Sequence, residues 1–147
     1  MAGVLAAKQW TCIDLFCGGG GFSLGLQRAG FSVLAALDFN QEAIAVFRKN
    51  FPAVKHALRA DLTQFRPSDL AKLIGTRPVD LIVGGPPCQG FSTVRQRDGA
   101  NNGPRIVEDK RRHLYQEFLR YVGFFQPKVF VMENVLGIRS AAGGRLR

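Results

Sequence analysis

Short apolar runs alternate along this chain with segments whose apolar positions recur every three or four residues. Trp10–Phe16 (WTCIDLF) is the first run and reads as a strand, followed at once by four glycines, Gly18 to Gly21. Phe22–Ala29 then carries Phe22, Leu24 and Leu26 into a short helix that Gly30 can end in the left-handed conformation. Phe31–Asp38 is a second buried strand, closing on an acid. Asn40 is a natural N-cap for a helix over Gln41–Asn50, whose Ala43, Ile44, Val46 and Phe47 form one apolar face. A weaker third strand over Val54–Ala60 again precedes an acid, Asp61. Ser68 is placed to cap a helix ending near Gly75, and Val79–Gly84 is a fourth strand. The next helix spans about Asp109–Phe125; after Pro127 comes a fifth strand, Lys128–Met132.

Strands alternating with helices at this spacing predict an α/β fold, a doubly wound parallel sheet with helices on both faces. The length, 147 residues, favours a single domain with a real core. A composition 46% hydrophobic and 21% charged excludes a disordered tail. Charges and glycines interrupt every apolar run, so no membrane span is expected. The first ten residues, MAGVLAAKQW, lack the basic-then-apolar order of a secretory signal. A formal charge of +9 fits a polyanionic partner. Cys12, Cys17 and Cys88 have no C-x-x-C spacing and read as reduced thiols of a cytoplasmic protein, with neither a disulfide framework nor a zinc site. One segment breaks the rhythm: Gly85–Glu108 is rich in Gly, Pro, Asn and Arg and has no period, the mark of either a functional loop or a floppy insertion.

Ligands of open parallel sheets bind beyond the carboxyl ends of the strands, and the polar residues collect there. The glycine loop follows the first strand, Asp38 the second and Asp61 the third. Asp38 lies 20 residues after Gly18, a spacing at which a carboxylate can accept from both ribose hydroxyls of an adenosine cofactor. The strict G-x-G-x-x-G pattern fails at Ser23, no G-x-x-x-x-G-K-[ST] is present, and no Lys or Arg sits in the loop to meet phosphates. A cofactor with ribose and adenine but no pyrophosphate suits such a turn, and S-adenosylmethionine fits that description. Phe16 and Phe39 stand beside the loop and the acid, where they could sandwich a purine; the bland reading of either is core packing.

Cys88 sits in Gly84-Gly85-Pro86-Pro87-Cys88-Gln89-Gly90-Phe91-Ser92. A lone cysteine is ordinarily a small buried hydrophobe, which suits Cys12 and Cys17. It suits Cys88 badly, because two prolines fix the backbone and remove donors, so the segment cannot extend the sheet. A thiol on a rigid turn beyond a strand end is in a nucleophile's position. Little of a free thiol is ionised at neutral pH; Arg95 and Arg97 are nearby cations that could help. Arg105, Lys110, Arg111 and Arg112 continue a patch suited to phosphates or simply to solvent. Glu133 ends the fifth strand, beside the fourth, as a candidate proton donor. His56 and His113 have no partner at telling spacing and read as structural or surface residues.

Three stretches together resemble the DNA (cytosine-5) methyltransferases: Asp14–Leu26 (DLFCGGGGFSLGL), Gly85–Ser92 (GPPCQGFS) and Glu133-Asn134-Val135. The likeness runs from about Thr11 to Ile138 with the motifs in family order; Cys17 stands where the family usually has alanine. The resemblance implies a Rossmann-like S-adenosylmethionine-dependent methyltransferase fold. It implies that Phe16, Gly18, Gly19 and Gly21 line the cofactor site, Asp38 holds the ribose, Phe39 packs on adenine, Asp61 and Leu62 contact the adenine edge, and Gly85, Pro87 and Leu114 close other walls. Cys88 would be the nucleophile that adds to cytosine C6, and Glu133 would bind and protonate the base. Gln89, Ser92, Arg95 and Arg97 would meet double-stranded DNA, whose target base must be flipped out, with the Gly85–Glu108 segment as a lid.

Family members continue past Glu-Asn-Val with an arginine-containing motif, further strands, a target-recognition domain and a final segment that completes the cofactor pocket. Residues 1–147 are therefore expected to be the N-terminal portion of a catalytic domain, weakly active or inactive alone, with a separate polypeptide as one source of the remainder. The expected setting is a bacterial restriction-modification system, cytoplasmic and nucleoid-associated. The alternatives are the RNA-modifying branch of the family and a non-catalytic cofactor-binding remnant or subunit of a split enzyme.

Overall fold

Five parallel strands form one sheet in the order β3-β2-β1-β4-β5, seen in a computed structural model that describes residues 9–87 and 114–134. The elements follow one another as β1 (Thr11–Leu15), α1 (Gly21–Arg28), β2 (Ser32–Asp38), α2 (Gln41–Asn50), β3 (His56–Arg59), α3 (Pro67–Ile74), β4 (Leu81–Gly84), α4 (Leu114–Phe125) and β5 (Val129–Met132). The chain winds outward from β1 through β2 to β3, then crosses back to place β4 against the other side of β1 and β5 outside it. That reversal puts a crevice at the carboxyl ends of β1 and β4, where open α/β sheets bind ligands.

Both faces of the sheet are covered. On one, Ile13, Leu15, Leu37 and Ile82 pack with Leu70 and Ile74 of α3 and Phe118 and Tyr121 of α4. On the other, Cys12, Val33, Ala36, Leu81 and Val83 pack with Ile44 and Phe47 of α2 and with Phe22 and Leu26 of α1. Register slips between Cys12 and Ile13, whose β2 partners are Val33 and Ala35. The slip explains why the neighbours Leu34 and Ala35 both belong to the first core cluster.

The ends of the elements have local causes. Phe16 takes φ 56°, which ends β1 at Leu15. Past α1, the Gly30 amide donates to the Gln27 carbonyl and the Phe31 amide to Leu26, the paired bonds of a Schellman stop. Asn40 caps α2 as expected, its Oδ1 accepting from the Ala43 amide at 2.8 Å. Ser68 does not cap α3. Arg66 holds that place and Pro67 opens the helix, because proline's fixed φ suits the first helical position. Val46 and Leu24 are exposed rather than in the core. Leu24 lies two residues from both Phe22 and Leu26, about 200° around the helix, and Val46 lies about 200° from Ile44 and about 100° from Phe47, so both turn off the core-facing side.

At the opposite end of the sheet Asp80 binds three partners. Its Oδ2 accepts from the Thr11 amide and hydroxyl, both at 3.1 Å, and its Oδ1 from Lys128. Lys128 also lies 4.3 Å from the centroid of the Trp10 ring. The Lys128 hydrogen bond, ahead of those from Thr11, holds the Asp80 carboxyl below its ordinary value. This clasp ties β1, β4 and the entry to β5 away from the crevice. His56 is buried on β3; burial first, then Lys55 and Arg77, lowers its pKa.

Candidate functional site

A cavity of about 710 Å³ opens over the carboxyl ends of the strands. Phe16 follows β1, Asp38 and Phe39 close β2, Asp61 and Leu62 follow β3, Gly85 and Pro87 follow β4, and Leu114 opens α4; all eight line it, together with Asn40, Ala60 and Thr63. Parallel strands all end on the same side, so residues far apart in sequence meet there. The lining is mostly apolar with a few convergent polar groups, as in small-molecule sites.

Two carboxylates are held ready by backbone amides. Asp38 Oδ2 accepts from the Gly18 amide at 2.9 Å, and its Oδ1 from the Asn40 amide at 2.8 Å. Each oxygen keeps a further lone pair for a ligand hydroxyl. Asp61 Oδ1 accepts from the Thr63 amide at 2.9 Å and the Thr63 hydroxyl at 2.7 Å. Arg59 Nε donates to the Phe39 carbonyl at 3.4 Å. Neither lysine nor arginine lines the cavity among the described residues. Acceptor carboxylates beside two phenyl rings, with no cation among the described lining residues, suit hydroxyl and aromatic groups better than phosphates.

The glycine loop builds this arrangement rather than lining it. Gly18 is tied to Asp38, the Gly19 carbonyl accepts from Asn50 Nδ2 at 3.1 Å, and Gly21 opens α1. Gly20 is the position that sterics demand: φ is 99° and an added Cβ would stand 2.1 Å from Phe51 Cε2. As N-cap of α1 it has no side chain to offer. Asp14 on β1 supplies the acceptor instead, its Oδ2 receiving the Ser23 hydroxyl at 2.7 Å and the Ser23 amide at 3.2 Å. Asp14 is fully buried, and its Oδ1 has no hydrogen-bond partner among the described residues. Burial pushes its pKa up to about 6, against the two Ser23 hydrogen bonds that pull it down, and nearby Asp38 adds to the rise.

On the β4 side space is scarce. A Cβ at Gly84 would stand 2.2 Å from the Leu15 carbonyl oxygen, so only glycine lets β4 end flush against β1. Glu133, just past β5, donates its amide to the Gly84 carbonyl at 2.9 Å. Its Oε2 lies 3.1 Å from the point where a Gly85 Cβ would sit. The carboxyl of Glu133 therefore stands over the turn that leads to Cys88. Cys88, Gln89, Ser92, Arg95 and Arg97 lie outside the described residues, as do His113, the basic residues 105 and 110–112, the start of the helix expected from Asp109, and nearly all of the expected lid. Cys12 and Cys17 are both buried. Burial, then Asp14, pushes Cys12 up to about 12 and raises Cys17 as well.

Of the expected cofactor residues, Gly18, Gly19 and Gly21 are the ones not on the cavity wall. Sequence reasoning missed Asn40, Ala60 and Thr63 as wall residues. Asn40 is read as a cap, which it also is; an aspartate two residues before a threonine is the Asx-turn signal that marks Thr63.

The model of the C-5 cytosine-specific DNA methylase family matches residues 10–146. The Type II methyltransferase M1.HphI of Haemophilus parahaemolyticus is 43% identical over 137 residues, 93% of this chain and 35% of that protein. M.DdeI of Desulfomicrobium norvegicum is 44% identical over 128 residues, 87% of this chain and 28% of that protein. A crystal structure described as a prophage-encoded DNA modification methyltransferase from E. coli superposes with a TM-score of 0.75 at 38% identity, covering 93% of this chain and 36% of that one. This chain thus spans about a third of the length of these relatives. By the family model and by these likenesses, the chain belongs to the C-5 cytosine-specific DNA methylases.

Proposed function

We propose that this chain binds S-adenosylmethionine in the strand-end cavity and, within a complete enzyme, methylates C5 of a cytosine flipped out of double-stranded DNA. The observation that carries the reading is the pairing of Asp38 and Asp61 with Phe16 and Phe39 around one cavity that no cation lines among the described residues. Asp38 would hold the ribose hydroxyls, Asp61 and Leu62 the adenine edge, and the two phenyl rings the purine faces. Bound S-adenosylmethionine would supply an electrophilic methyl group on its sulfonium sulfur.

Cytosine C5 is a weak nucleophile, and the proposed role of Cys88 is to change that. Its thiolate adds to C6, forming a C–S bond and pushing the ring electrons toward C5. Glu133 donates a proton at N3, which neutralises the charge gathering on the ring. Once C5 has taken the methyl group, which S-adenosylmethionine would give up to become a neutral thioether, a solvent base would take the C5 proton. Glu133 would take back the N3 proton, and the C6–S bond would break to release the thiolate and restore the aromatic ring. Gln89, Ser92, Arg95 and Arg97 would contact the DNA, with unstacking of the base offset by phosphate contacts.

Strand β5 supports a second element of the reading. Among the described residues it lies at the sheet edge, and although Phe130 meets Phe118, Val129, Phe130 and Val131 are each about half exposed, apolar surface that calls for a cover. We infer that further polypeptide, in the same chain or a separate one, packs there in the active enzyme, and that residues 1–147 alone turn over weakly or not at all. Kinship with Type II methyltransferases supports a restriction-modification system as the setting of the proposed activity. No helix among the described residues is long and apolar enough to cross a membrane.

Calorimetric titration of the chain tests the cofactor: S-adenosylmethionine binds and ATP does not. The chemistry is tested by incubating the chain, with and without the remaining C-terminal part of M1.HphI in trans, with 5-fluorocytosine duplex DNA and S-adenosylmethionine. A covalent adduct at Cys88, absent in Cys88→Ser, is expected. An adduct on tRNA instead would assign the RNA-modifying reaction, and no adduct on either would leave a cofactor-binding module.

A further inference from the structure

Helix α4 reaches across to the loop after β3 through two adjacent side chains. Arg120 Nη2 donates to the carbonyls of Leu62 and Phe65, the second at 3.3 Å, and the Tyr121 hydroxyl donates to the same Phe65 carbonyl at 2.9 Å. Glu117, one turn back on α4, accepts from Arg120 Nε at 2.7 Å and steadies the guanidinium. The turn's own bonds, from the Gln64 and Phe65 amides, both go to the Asp61 carbonyl. The loop is therefore shaped from within at Asp61 and anchored from outside at Leu62 and Phe65. Leu62 lines the cavity from the β3 side, and Leu114, at the start of α4, lines it too.

We propose that Arg120 is a positioning residue for cofactor binding, clamping the Asp61–Phe65 wall to helix α4 so that Asp61, Leu62 and Leu114 meet the ligand as one unit. The inference rests on reading the cavity as the S-adenosylmethionine site. A surface Arg–Glu pair on one helix turn contributes little by itself; hydrogen bonds from a charged donor to two carbonyls of a ligand-bearing loop contribute more. A lysine at this position offers a point charge with no planar fork and keeps only part of the clamp.

The test measures hydrogen exchange of the ligand-free chain and S-adenosylmethionine affinity by calorimetry, for wild type, Arg120→Ala, Arg120→Lys and the surface control Lys72→Ala. In Arg120→Ala, exchange in the 61–66 segment is expected to speed up while β1 stays protected, and affinity to fall about tenfold. Arg120→Lys recovers part of both, and Lys72→Ala changes neither. Unchanged exchange at 61–66 overturns the clamp, as does acceleration spread evenly over the sheet. Faster exchange with affinity within about twofold of wild type overturns its role in binding. Absence of binding by the wild-type chain overturns the cofactor reading instead, and the exchange data alone then decide the clamp.

Discussion

The amide of Gly18 donates to Oδ2 of Asp38 at 2.9 Å, so the acid that ends β2 fixes the loop that ends β1. The same carboxylate accepts the Asn40 amide on its other oxygen, which joins the loop, the strand end and the start of α2 through one side chain. Asp38 is thus both a scaffold for the glycine loop and a proposed ribose acceptor.

Asp38→Ala should weaken S-adenosylmethionine binding about tenfold to a hundredfold, since it removes the ligand's acceptor and releases the loop. Asp38→Asn should lose less, because its amide oxygen can still accept one backbone N–H. Calorimetry on the two variants checks this; affinities within about twofold of wild type would show that Asp38 faces no ligand.

Asp14 should give stability an unusual dependence on pH. Its folded pKa, raised by burial to about 6, lies above the ordinary 3.8, so between those values the folded chain holds a proton that the unfolded chain releases. Stability from this group is therefore greatest below about pH 4 and falls as pH rises through 6, by about 2–3 kcal/mol. Asp14→Asn removes the dependence, and its stability relative to wild type should climb by that amount from pH 4 to 7. Urea unfolding at several pH values measures it, and a constant difference would refute the assignment.

Gly20→Ala should destabilise the chain by about 3 kcal/mol or prevent folding, because the new methyl meets the Phe51 ring and the backbone is left-handed. Gly21→Ala, one residue on, has open space and helical backbone, and should be neutral or slightly stabilising. Thermal melts of the pair check the contrast, and equal effects would rule it out.

Thiol chemistry should separate the three cysteines. Cys12 and Cys17 are buried with raised pKa values, and iodoacetamide near pH 8 should leave them unmodified in the folded chain. If Cys88 is the nucleophile, it is the one labelled, and denaturant then exposes the other two. Peptide mass spectrometry reads the order; fast labelling of Cys12 would contradict its burial.

Much of the fold was legible in the residues. Each strand seen lies inside its predicted run, trimmed by a residue or more where a neighbour such as Phe16 leaves extended geometry. Gly30 and Asn40 act as the stops and caps that their chemistry implies. At Ser68 the proline before it, its φ already fixed for the first helical position, prevails over the hydroxyl. Leu24 and Val46 are apolar yet exposed, because the angle around the helix and not the side chain decides which face a residue takes. Phe16, Asp38, Phe39 and Asp61, read from their places after strands, and Leu62, Gly85, Pro87 and Leu114, implied by the family resemblance, share one cavity wall, because parallel strand ends converge.

By itself the sequence determined the alternation of strand and helix, the acids and glycines at the strand ends, and the motifs that mark the family, because these depend on neighbours a few residues apart. Only the tertiary structure decided that β4 crosses back beside β1, that Phe51 forbids a side chain at Gly20, and that Arg120 grips the wall after β3. Each joins residues that share no local pattern. Such contacts are set by which surfaces the packed sheet and helices bring within hydrogen-bond or van der Waals reach, and no window along the chain contains them.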